Sequence, residues 1–334
     1  MGALSVGVVS LSILNPNNSF FSSIPFVSKP VLHSLTGMEG VDGPVLAVKI
    51  DDTRPAHPQI GLEYADVVYI EQVEGGLTRL AAIFSSKIPT RIGPVRSARI
   101  SDIEILEQYG KVIFAYSGAQ KKMRPVIAAA NLNDLGAERN SPTIYTTDPA
   151  RIQPYAMVLR ADLIMEQAKE KSLDVAISKK MGWSFGDAPE GGIPTTDVHI
   201  SWPASSYDAH WSESEKRWLL DFAGEPNFAD SGVRLGPQTL VIQLVAITDS
   251  IYGDKFGGVT PMSKTVGTGK GYILRDGQSF EANWNRTSEG DGTSWTTVMG
   301  DEIQFAPGQI WVALTDKEPR FTLATQDAGD KSSK

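Results

Sequence analysis

Short apolar runs that stop abruptly at charged clusters set the pattern of the first half of the chain. Val45–Ile50, Val67–Ile70, Leu80–Phe84 and Val112–Tyr116 are each continuously apolar or nearly so. Runs of this length predict strands covered on both faces. Helical spacing lies between and after them. Ser101–Tyr109 has Ile103, Leu106 and Tyr109 on one face, with Ser101 as N-cap and Glu104 at capping-box spacing. Lys122–Asn131 predicts a shorter helix. Ala161–Lys171 predicts a third, with Leu163, Ile164 and Ala168 as its buried stripe. Strands alternating with helices predict an α/β N-terminal domain.

The pattern changes after about Gly182. Segments such as Leu240–Ile247, Lys270–Leu274, Ser279–Arg286 and Ile310–Leu314 alternate apolar and polar residues between turn signals. Asp276-Gly277 is a hairpin dipeptide. These features predict a mainly antiparallel β C-terminal domain. All seven Trp lie in this second half and are expected as β-domain core rather than a sugar-binding face. The predicted organisation is a leader or anchor remnant at 1–34, an α/β domain at 35–182, a linker at 183–196 and a β-rich domain at 197–325.

The charges at the strand ends carry the candidate chemistry. An apolar strand ending in charge delivers that charge to one rim of a sheet, where α/β proteins build sites. Asp51, Asp52 and Arg54 follow the first run. Glu71 and Glu74 flank the second, beside Gly75-Gly76, which read as a tight turn. Arg79 opens the third, and Arg96, Ser97 and Arg99 precede the helix at Ser101. Two carboxylates there could serve as acid and base, hold a hard cation through oxygen ligands, or pair with the arginines. Glu71 and Glu74 are the candidate catalytic residues. Asp51, Arg54, Arg79, Arg96, Ser97 and Arg99 are the candidate ligand-binding set, because arginine forks near a helix start suit phosphate or carboxylate. No metal ligand set and no cofactor motif is assigned; a divalent metal has no further support.

Composition removes several classes. The 334 residues contain no Cys, so thiol nucleophiles, disulfides and thiolate-bound metals are absent. Net charge is −8, which argues against a general nucleic-acid binder. The G-x-S-x-G corner is missing around Ser117, and only four His are present, so a Ser-His-Asp triad has little raw material. His57 is expected as a rim side chain. Gly267–Gly271 lacks the spacing of a phosphate loop and reads as a bulge or hairpin. The apolar stretch Ala3–Leu14 is too short to span a bilayer, and no Lys or Arg precedes it.

The blocks Val45–Arg54, Gly61–Arg79 and Gly93–Arg99 resemble the YerB-type bacterial lipoproteins. Further likeness lies in YDAHWSESEKRWLL, VGTGKGYILRDGQSFEANWNR and APGQIWVAL, so the resemblance covers roughly residues 35–320. It implies paired N- and C-terminal domains of unknown function and an exported, membrane-anchored protein. Two departures stand out: no Cys is available for lipidation, and Asp51-Asp52 stands where the family usually has Asp-Asn. Three readings remain open: a binder of an anionic small molecule or envelope polymer, an envelope hydrolase or transferase using Glu71 or Glu74 with Arg96 and Arg99, and a protein-interaction scaffold.

Overall fold

In the computed structural model, residues 30–253 and 257–324 are described. The expected leader and linker before residue 30 lie outside them. The first half contributes β1 (Leu46–Asp51), β2 (Val67–Gln72), β3 (Thr78–Phe84), β4 (Arg91–Ile92), α1 (Ile100–Glu107), β5 (Val112–Ala115), α2 (Arg124–Ala129), β6 (Leu132–Asp134), β7 (Tyr145–Thr147), β8 (Met157–Arg160) and α3 (Ala161–Glu170). The second half is all strand: β9 (Ile193–Trp202), β10 (Ser205–Ser212), β11 (Arg217–Phe222), β12 (Glu225–Pro226), β13 (Thr239–Leu244), β14 (Ile247–Gly253), β15 (Val259–Ser263), β16 (Gly267–Arg275), β17 (Gln278–Arg286), β18 (Ser294–Thr297), β19 (Ile310–Thr315) and β20 (Arg320–Leu323).

One sheet runs through both halves, in the order β12-β11-β10-β9-β17-β16-β13-β19-β2-β3-β1-β5-β6. The seam is β19 against β2, parallel, with Ile310 opposite Val67 and Ala313 opposite Ile70. The first half therefore differs from a helix-covered parallel α/β layer. Its sheet is mixed: β1 pairs antiparallel with β3 and parallel with β5. Strands dominate, and the three α-helices have 8, 6 and 10 residues. The second half is mainly antiparallel, as its alternating pattern predicts. Asp276 and Gly277 form the two-residue β16–β17 turn, both at positive φ.

The continuous apolar runs have a direct cause. Alternate residues of β1 enter two different cores: Leu46, Val48 and Ile50 join Trp202, Tyr207, Trp218 and Trp311 on one face. Val45 and Ala47 join Tyr109 of the segment after α1, together with Trp284 and Trp295, on the other. With both faces buried, both parities of the strand are mainly apolar, and the charged Lys49 and Asp51 come only in its second half. The stretch 183–196 is partly structured: Trp183 is buried and stacks on Phe305 with ring centroids 5.5 Å apart, and β9 starts at Ile193. Gly267–Gly271 opens β16 as regular strand.

Helix α1 starts differently from its sequence signal. The cap is Arg99, whose backbone N–H donates to Asp102 Oδ2 at 2.6 Å. Ser101 lies inside the helix, and its hydroxyl accepts from the Ser263 N–H at 3.0 Å. Glu104 turns to the β15–β16 connection and accepts from the Thr265 hydroxyl at 2.8 Å. Tertiary partners thus take both groups that the capping-box spacing assigned to the helix end.

Candidate functional site

Register assembles the site. Arg79 is the second residue of β3 and sits directly opposite Asp51 of β1 and Glu71 of β2. Directly opposed residues point to one face, so Asp51, Arg79 and Glu71 form a row across the sheet end beneath α1. Asp52, one residue on, points to the opposite face. There it accepts from the Tyr207 hydroxyl and the Thr78 hydroxyl, both at 2.6 Å.

A cleft of about 740 Å³ opens over this rim, lined by Glu74, Arg79, Arg96, Ser97 and Arg99 among others. Glu74 reaches it because β2 and β3 are joined by a tight turn in which Gly75 and Gly76 have φ of 69° and 72°. At Gly76 a Cβ would lie 2.5 Å from Pro203 Cβ. Lys121, Tyr155, Tyr252 and Thr260 also line the cleft, and sequence reasoning did not single them out. They come from loops and the β14–β15 hairpin, whose approach is set only by tertiary packing.

The charges are unevenly matched. Arg99 Nη2 lies 2.8 Å from Glu74 Oε2. Arg96 Nε lies 2.5 Å from Asp51 Oδ2, close in distance but misaligned, so the pair is ionic without a well-formed hydrogen bond. Arg79 has no carboxylate within ion-pair distance among the described residues. Its Nη1 donates to the Ser97 carbonyl at 3.1 Å. Burial first, then the Arg99 and Arg96 cations, lower its pKa to about 9, which still leaves it charged at neutral pH. Burial alone would raise the Glu74 carboxyl, but Arg99 and the Thr260 hydroxyl overcome it and hold the group below the usual carboxylate range.

Three candidates do not line the cleft. Glu71 is fully buried and pairs with Lys49 Nζ, which also donates to Asp102 Oδ1 at 2.8 Å; all three side chains are enclosed. Burial, then the Asp102 charge, pushes the Glu71 carboxyl up to about 7 against the pull of Lys49. Lys49 was missed by sequence reasoning, although a lysine in the middle of an apolar run is a signal of a buried ion pair. Arg54 is carried away by the 3₁₀ turn Arg54–Ala56, and its Nη2 donates to the Ala223 carbonyl at 3.2 Å. It lines a separate pocket of about 300 Å³ with His57 and Phe222, whose rings stack 4.2 Å apart. Asp51 stands just behind the cleft, its Oδ1 accepting from the Thr53 N–H at 2.8 Å.

This arrangement places three guanidinium groups and the Ser97 side chain around one opening, with the carboxylates Glu74 and Glu138 also on its lining. Among the described residues, no group of three or more His, Asp or Glu is arranged to hold a metal ion.

Residues 35–174 match the family model "Protein of unknown function (DUF3048) N-terminal domain", and residues 198–312 match the corresponding C-terminal domain. The chain belongs to the DUF3048 family. Its sequence is homologous to the Bacillus subtilis (strain 168) protein named "Putative lipoprotein YerB", with 32% identity over 119 residues. That match spans 34% of this chain and 36% of the relative, about a third of each. The fold agrees over a longer range. The crystal structure of the YerB protein from Bacillus subtilis superposes with a TM-score of 0.74 at 19% identity, covering 87% of this chain and 99% of that chain. Among the described residues, no helix is long and apolar enough to cross a membrane.

Proposed function

We propose that this DUF3048 protein is an extracytoplasmic, membrane-anchored envelope protein that binds an anionic ligand in the cleft of Arg79, Arg96, Ser97 and Arg99. The lipoprotein name of its relative supports the location. The observation that carries the binding role is Arg79: a guanidinium held on the cleft wall beside two further arginines, with no carboxylate in ion-pair contact among the described residues and only a partial offset from Asp51 and Glu74. An incompletely compensated cation is costly to bury, and an anionic ligand would relieve that cost. Arg96 and Arg99 could trade or share their carboxylates with the same anion, and arginine forks suit phosphate or carboxylate oxygens.

Geometry favours binding over acid–base chemistry. Glu74 is ionised and engaged by Arg99 and Thr260, and Glu71 is fully buried against Lys49, without access to the cleft. A hydrolase or transferase would therefore have to work with Glu74 and Glu138, each already paired with an arginine.

Isothermal titration with pyrophosphate tests the reading. The wild-type protein should bind, and Arg79→Gln should lose most of that affinity with the fold intact by circular dichroism. Undetectable binding to the wild type, or equal binding to the variant, would refute it.

A further inference from the structure

The cleft is too large and too mixed in chemistry for a bare oxyanion. At about 740 Å³ it falls in the size range of sites for whole small molecules. Its cationic wall, Arg79, Arg96 and Arg99, occupies the strand-end side. Two tyrosines share the lining: Tyr155 lies under the Arg96 guanidinium, 5.9 Å from Cζ to ring centroid, and Tyr252 comes from β14. Two carboxylates, Glu74 and Glu138, also line the cleft. Carboxylates repel a second anionic group but accept hydrogen bonds from hydroxyls. The side-chain carbonyl of Gln120, another lining residue, has no donor among the described residues.

Resting on the anion-binding reading, we propose that the ligand is a phosphorylated sugar, free or as one unit of a phosphate-bearing glycan. The arginines take the phosphate. A tyrosine face takes the C–H face of the sugar ring, which is apolar while its edges are hydroxylated. Glu74, Glu138 and Gln120 accept from ring hydroxyls. Each part of such a ligand meets its complement: the anion lies against Arg79, and the hydroxyls lie against carboxylates that would reject further charge. A nucleotide fits less well, because its flat base offers few hydroxyl donors to the carboxylates.

Calorimetric titration with inorganic phosphate, glucose 1-phosphate and adenosine monophosphate separates these cases. Glucose 1-phosphate should bind about tenfold more tightly than inorganic phosphate. Tyr155→Ala, and separately Glu138→Gln, should shrink that ratio, weakening glucose 1-phosphate relative to inorganic phosphate; thermal melts establish that both variants fold. Arg79→Gln should weaken both ligands. Equal affinities for phosphate and glucose 1-phosphate, both dependent on Arg79, would overturn the sugar and leave the anion site. Tighter binding of adenosine monophosphate would also overturn the sugar. Loss of all binding would overturn both readings. If isolated phosphate-bearing glycan competes with glucose 1-phosphate, the source is the polymer; binding of the monosaccharide without such competition makes it the free sugar phosphate.

Discussion

Replacing Arg79 should stabilise the protein while it abolishes anion binding. The guanidinium is held close to Arg96 and Arg99, and its pKa is lowered from 12.5 to about 9. At about 1.4 kcal/mol per unit, that depression corresponds to several kcal/mol against keeping the charge in place. Solvent screening at the cleft mouth reduces the figure, and Arg79→Gln forfeits the bond to the Ser97 carbonyl, worth about 1 kcal/mol. A net gain of about 1–2 kcal/mol remains, the sign expected where a binding site is kept at the expense of stability. It should appear as a melting temperature higher by about 2–4 °C. Scanning fluorimetry with and without pyrophosphate is the assay. The wild type should be stabilised by pyrophosphate and the variant should not. A variant that melts below the wild type, or that pyrophosphate stabilises equally, would show that Arg79 is a structural partner rather than a waiting cation.

Four further outcomes follow from the same geometry. Glu71 has a folded-state pKa of about 7, above its ordinary 4.5, so the native state holds a proton that the unfolded chain releases. Stability should therefore fall as pH rises from about 4.5 to 7, and Glu71→Gln should flatten that slope in urea titrations at pH 5 and pH 8. Lys49→Met leaves Glu71 and Asp102 as two buried carboxylates without their cation, and should cost about 3–5 kcal/mol in equilibrium unfolding. Tyr207→Phe removes a donor to the enclosed Asp52 carboxylate and should cost about 1–3 kcal/mol by the same measurement. Gly76→Ala must place a Cβ against Pro203 at positive φ, and should cost about 1–2 kcal/mol in equilibrium unfolding.

Local signals in the sequence are read out faithfully where the cause is local. The four apolar runs are strands because alternate residues feed two cores, and Gly75-Gly76 turns because both residues need positive φ. The rim argument brings Arg79, Arg96, Ser97, Arg99 and Glu74 to one cleft, since residues at neighbouring strand ends share an edge. What was not legible depends on pairing at long range. The parallel seam between β19 and β2 joins residues about 240 positions apart, and neither strand carries a mark of the other. Glu71 reads as a rim acid until Lys49 and Asp102 are seen to enclose it. Arg54 reads as a neighbour of Asp51 until the 3₁₀ turn carries it to Ala223.

A crystal structure of the protein with pyrophosphate tests the central claim most directly. The account predicts phosphate density in the cleft with oxygens within hydrogen-bond distance of the Arg79 guanidinium and of Arg96 or Arg99. Phosphate bound elsewhere, with Arg79 still donating only to the Ser97 carbonyl, would contradict it.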